Sequence, residues 1–170
     1  MPSNMRSILG EPDLSDKGKA GQDGAMPLRT TKHWFGVVLD APDASALAHF
    51  YADLLGWTIF KDGSDWATLA PSESHGYNLA FQREPNYVPP VWPSRPGQPL
   101  MMLHLDLEVD DLGAATEYAI GVGAKLAEYQ PQDDVRVLLD PAGHPFCLYV
   151  DDSTDDSIDD STGVSSGGDT

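Results

Sequence analysis

The chain has 170 residues, 41% of them hydrophobic, and a formal net charge of −17. That supports one globular domain with a real core, and it is too acidic for nucleic acid or an anionic membrane, which are bound through basic contacts. No apolar run approaches the ~20 residues of a membrane span, and a single cysteine excludes an internal disulfide, so the cytoplasm is the expected compartment.

Residues 1–28 are rich in Gly, Asp, Lys and Ser, lack the apolar core of a secretory signal, and read as a disordered segment. An apolar strand is expected over 34–39, followed by a turn containing Pro42 and Asp43. Asp43 is placed to cap a helix. Leu47, Phe50, Tyr51 and Leu54 then recur at helical spacing, and Gly56 stops the helix. Three short strands follow in "WTIFK", "WATLA" and "YNLAFQR".

The stretch "EPNYVPPVWPSRPGQP" holds six prolines, which favour an extended crossing over 84–100 rather than a helix or central strand. Beyond it the pattern repeats. A strand is expected over 102–109, Asp111 caps a helix bearing Leu112, Ala115, Tyr118, Ala119 and Val122, and Gly123 ends it. Strands "AKLAEY", "VRVLL" and "PFCLYV" complete the half. Each half reads βαβββ, with Gly56 matching Gly123 and Gly76 matching Gly143. Residues 151–170 hold seven aspartates and no base and read as a disordered acidic tail.

The paired units, "HFYADLLGW" after an Asp-containing turn, and the closing "DPAGHPFCLY" resemble the glyoxalase / bleomycin-resistance / extradiol dioxygenase (vicinal oxygen chelate) superfamily. "PPVWPSRPGQPLMMLHLDLEVDD" is similar to a glyoxalase-like subgroup widespread in actinobacteria. The resemblance implies an α+β fold of two tandem βαβββ modules, 33–83 and 101–150, forming a curled eight-stranded sheet around a cavity. It also implies a homodimer. In metal-using members four ligand positions surround one divalent ion, and they fall here on Gly36, Ala80, His104 and Cys147. Gly and Ala offer no side-chain donor, whereas a hard cation takes several oxygen or imidazole ligands. No metal and no other cofactor is therefore expected.

What remains is a polar stripe. Alternation in "HLDLEV" puts His104, Asp106 and Glu108 on one strand face and leucines on the other. Cys147 and Tyr149 on one neighbouring strand, and Gln82 beside Ala80 on another, extend it; Trp92 either covers a pocket or anchors the crossing. The candidate ligand-binding set is Gln82, Trp92, His104, Asp106, Glu108, Cys147 and Tyr149, with His104 and Asp106 as the candidate acid–base pair. The alternative is that these groups satisfy one another or sit in water. Cys147 is expected to pack as a small hydrophobe, and His144 to be solvated in its turn. The resulting expectation is a protein that binds or sequesters a small organic ligand, a cationic one being favoured by the acidic charge. Its rival is an enzyme of the superfamily (lyase, isomerase or dioxygenase type) using His104 and Asp106 or an unusual metal site.

Overall fold

A computed structural model describes residues 34–151; the expectations for residues 1–28 and for the tail beyond Asp151 concern residues outside that range. The first half runs β1 (Phe35–Ala41), α1 (Ala44–Leu55), β2 (Thr58–Lys61), β3 (Trp66–Ala70) and β4 (Tyr77–Arg83). The second runs β5 (Leu105–Glu108), α2 (Leu112–Gly121), β6 (Lys125–Leu126), β7 (Val135–Leu139) and β8 (Pro145–Tyr149). Residues 84–104 form neither helix nor strand.

The fold is α+β, with the eight strands divided into two four-stranded sheets that are not closed into a barrel. Their orders, β1-β4-β3-β2 and β5-β8-β7-β6, are the same. In each, the strand before the helix pairs parallel with the last strand, and the other pairs are antiparallel. A helical crossover is what a parallel pair requires, and hairpin-length turns suffice for the rest.

Both helices start where an aspartate can accept from a free backbone amide. Asp43 Oδ1 accepts from Ala46 N at 3.0 Å and Asp111 Oδ1 from Ala114 N at 2.9 Å. Gly56 closes α1 in the left-handed region at φ 66°. The second helix departs from expectation: it ends at Gly121, with Val122 as cap. Tyr118 also departs, being exposed and donating its hydroxyl to the Asp53 carbonyl of α1 at 2.7 Å rather than entering the core. A phenol carries a polar end that is best served at a surface.

One core joins the two halves. Leu47, Phe50 and Tyr51 of α1 pack with Leu69, Leu79 and Phe81 of the first sheet and with Leu138, Phe146 and Leu148 of the second. The Tyr51 ring stacks on Phe81 at 5.5 Å and meets Phe146 edge-on at 6.4 Å, while Phe50 meets Phe146 at 6.2 Å. Strand alternation sends the core residues to one face of each sheet, leaving Ala80 and Gln82 of β4 and Cys147 and Tyr149 of β8 on the other.

Candidate functional site

The parallel pairing of β5 with β8 sets the polar face. Asp106 lies opposite Cys147, and Glu108 opposite Tyr149. His104 precedes β5 by one residue, since the strand starts at Leu105 rather than 102. The imidazole nevertheless turns to the same side, its Nε2 3.2 Å from Asp106 Oδ1. Single donor atoms of His104, Asp106 and Cys147 all lie within 4.8 Å of one another. His104 and Asp106 are open to water, with side chains 39% and 57% exposed.

Cys147 is half-buried, and its thiol is pushed up to about 11. Burial is the main cause, followed by the negative charge of Asp106 and the hydrogen bond the thiol donates to that carboxylate. In the absence of a bound cation the sulfur is therefore protonated at neutral pH and is a poor nucleophile. Iodoacetamide at pH 8 should alkylate Cys147 ~100-fold more slowly than an unperturbed thiol, the ratio of thiolate fractions for a rise from 9.0 to about 11. Asp106→Asn removes the second and third causes and should speed the reaction and lower its pH midpoint. A wild-type midpoint near 8.5 would show that neither burial nor Asp106 acts on the thiol.

The equivalent positions in the first half are bare. By strand register, Gly36, Val38 and Ala80 stand where the second half has His104, Asp106 and Cys147. A Cβ built on Gly36 would come 2.8 Å from Asn78 Oδ1, so the Asn78 amide occupies the space a side chain there would enter. A hard divalent ion of the four-ligand kind does not fit this donor set.

The remaining expected site residues are spread out. Glu108 and Tyr149 lie further along the same face of the second sheet, and Gln82 is exposed on the first, opposite Asp40. Trp92 donates its indole N–H to the Tyr129 carbonyl at 3.1 Å, an anchor for the crossing. Among the cavities that open on the described residues are two with polar groups in their lining. One, of about 320 Å³, is lined by Trp34, Phe60, Thr68, Glu73 and Asn78 among others. The other, of about 230 Å³, includes Val38, Asp40, Tyr87, Leu100, Met102 and His144. Neither lining contains His104, Asp106, Gln82 or Tyr149.

His144 corrects an expectation. It is not solvated: its side chain is 15% exposed, with Nδ1 2.8 Å from Asp140 Oδ2 and Nε2 3.0 Å from the Tyr87 hydroxyl. The signal was present in "DPAGH", an acid and a histidine four apart around a Pro-Gly turn, a spacing that folds the two side chains onto each other. Asn78 and Glu73 carried no pattern that marks them before the fold is known.

Residues 36–149 match the glyoxalase-like domain family over most of the chain. The chain belongs to that family. No curated protein matches it. Among solved structures, a glyoxalase/bleomycin resistance protein/dioxygenase family enzyme from Burkholderia phytofirmans PsJN aligns at TM-score 0.51 and 17% identity, over 68% of this chain and 95% of that one. A glyoxalase-related enzyme from Fulvimarina pelagi aligns at TM-score 0.50 and 18% identity, over 68% of this chain and 86% of that one. At such identities these two show a shared fold and nothing about chemistry. At the three positions equivalent to His104, Asp106 and Cys147, the first half of this chain has glycine, valine and alanine.

Proposed function

We propose that this glyoxalase-like protein binds or sequesters a small organic molecule on the polar face of its second half, without the hard divalent ion of the metal-using relatives. The observation that carries this reading is the asymmetry of the two halves: His104, Asp106 and Cys147 converge, while Gly36, Val38 and Ala80 at the equivalent positions of the first half supply no side-chain donor. A ligand held on the second half meets an imidazole, a carboxylate and a thiol. The net charge of −17 favours a cationic ligand over an anionic one. Gln82, Glu108 and Tyr149 extend the face, and Trp92 acts on it only by holding the crossing. We further propose a cytoplasmic homodimer; among the described residues no helix is long and apolar enough to cross a membrane.

If a reaction occurs, the pair that would run it is His104 with Asp106, whose carboxylate orients the imidazole at 3.2 Å. The same three side chains favour one other reading. An imidazole, a carboxylate and a thiol suit a thiophilic ion such as Zn²⁺ or Cd²⁺, which binds three protein groups in an open site.

Elemental analysis of purified protein, with mass spectrometry of co-purified small molecules, separates these. The proposal expects an organic ligand whose affinity falls ~2- to 13-fold in His104→Ala, the effect of the ~0.5–1.5 kcal/mol net worth of one hydrogen bond. Turnover lost in His104→Gln with binding intact would establish acid–base catalysis instead. One equivalent of Cd²⁺ bound by the wild type, and by neither Cys147→Ser nor His104→Ala, would establish the thiophilic site and overturn the metal-free reading.

A further inference from the structure

Away from that face, the turn at 140–144 builds a second polar cluster. Asp140 is the one buried charged side chain among the described residues. Its Oδ1 accepts from the backbone N–H of Ala142 and of His144, each at 2.9 Å. Its Oδ2 accepts from the Tyr51 hydroxyl at 3.1 Å and from His144 Nδ1 at 2.8 Å. The Nδ1 proton of His144 is thereby committed to Asp140, and in the neutral ring Nε2 is an acceptor. The Tyr87 hydroxyl lies 3.0 Å from that Nε2 and 3.0 Å from the Ala142 carbonyl. Its single proton has two inward acceptors, so its oxygen is left to accept from the cavity side.

Tyr87 and His144 form the polar wall of the 230 Å³ cavity, together with the exposed carboxylate of Asp40. Burial and the charges of Asp140 and Asp40 hold the Tyr87 phenol above its ordinary range, so it stays protonated. The rest of the lining is apolar, with Val38, Leu100, Met102 and Leu103 among it, and it contains no Lys or Arg. The side chains facing this space thus offer a carboxylate and a phenol oxygen as acceptors, with the His144 ring behind the phenol. An anion would meet a carboxylate and no lysine or arginine. A protonated amine brings three N–H donors and a positive charge to match.

We propose that this cavity is a binding site for a small lipophilic amine, its ammonium held by Asp40 and the Tyr87 oxygen and its apolar body against Val38, Leu100 and Met102. Taking ~30 Å³ for each water-sized unit, the space holds about eight non-hydrogen atoms, the size of benzylamine. None of His104, Asp106 and Cys147 lines this cavity, and Asp40→Asn tests it apart from the ligand face proposed above.

The test uses the full-length protein with benzylamine as probe, and benzyl alcohol and benzoate as comparisons, followed by NMR. Benzylamine should shift the His144 and Tyr87 ring signals in a saturable way. Asp40→Asn, a change at an exposed position, should weaken that binding at least tenfold, while Glu73→Gln in the other cavity leaves it unchanged. Benzyl alcohol should bind at least tenfold more weakly than benzylamine, and benzoate not measurably. The proposal is overturned if benzoate binds as well as benzylamine, if the shifts do not saturate, or if Glu73→Gln rather than Asp40→Asn weakens binding. The last result would move the amine to the cavity lined by Trp34 and Phe60.

Discussion

Replacing Asp140 by alanine should destabilise the fold by about 3–5 kcal/mol, the usual range when one member of a buried hydrogen-bonded charge cluster is removed. The carboxylate is fully buried and accepts from four groups in two separate places: two amides and the ring of its own turn, and the Tyr51 hydroxyl on α1. Deleting it strands all four donors where water does not replace them. The melting temperature should fall by roughly 10 °C or more. Asp140→Asn keeps the shape and one acceptor oxygen but presents an N–H₂ to a neighbour that is itself a donor, so an intermediate loss is expected. Thermal denaturation of both variants decides the matter. A midpoint for Asp140→Ala within about 2 °C of wild type would mean that the turn is held by its backbone alone.

Phe146→Ala should be as costly, at about 3–5 kcal/mol, because the ring is completely buried and little around it is free to collapse into the space. Its particular importance is where it sits. Phe146 belongs to the second half, yet its ring packs against Phe50 and Tyr51 on the helix of the first, at 6.2 and 6.4 Å. Those contacts make two similar units share one core. In a double-mutant cycle of Phe50→Leu with Phe146→Leu, a coupling of ~0.5–1.5 kcal/mol is expected for an aromatic pair in contact. Strict additivity would show that the halves are stabilised independently.

How much of this was legible in the chain follows from the range over which each feature is determined. The helices were legible because an Asp cap, a 3.6-residue apolar period and a closing glycine act within a few residues: α1 runs from just after Asp43 to just before Gly56. The second helix was read one residue long at its end, as Val122 rather than Gly123 provides the cap. The repeat was legible because both halves carry the same local signals in the same order, and equal signals folded into equal sheets.

The polar face was half legible. Alternation placed Asp106 and Glu108 together, since side chains on a strand point to opposite sides in turn. It placed His104 beside them as well, although the residue lies just outside the strand, but it did not reveal that Cys147 would share the Asp106 carboxylate. The contact joins strands some forty residues apart in sequence, and only the parallel register of β5 with β8 creates it. His144 shows the same limit more sharply. In the chain it is a polar residue in a Pro-Gly turn, and most such residues face water. In the fold, Tyr51 arrives from α1 and Tyr87 from the crossing, and between them they enclose the imidazole over Asp140. Local sequence determined the elements, their caps and their faces, because propensity and periodicity act over one or two turns of chain. The tertiary structure decided which polar groups are buried together and which cavities they line, because burial is conferred by segments that the chain itself holds far apart.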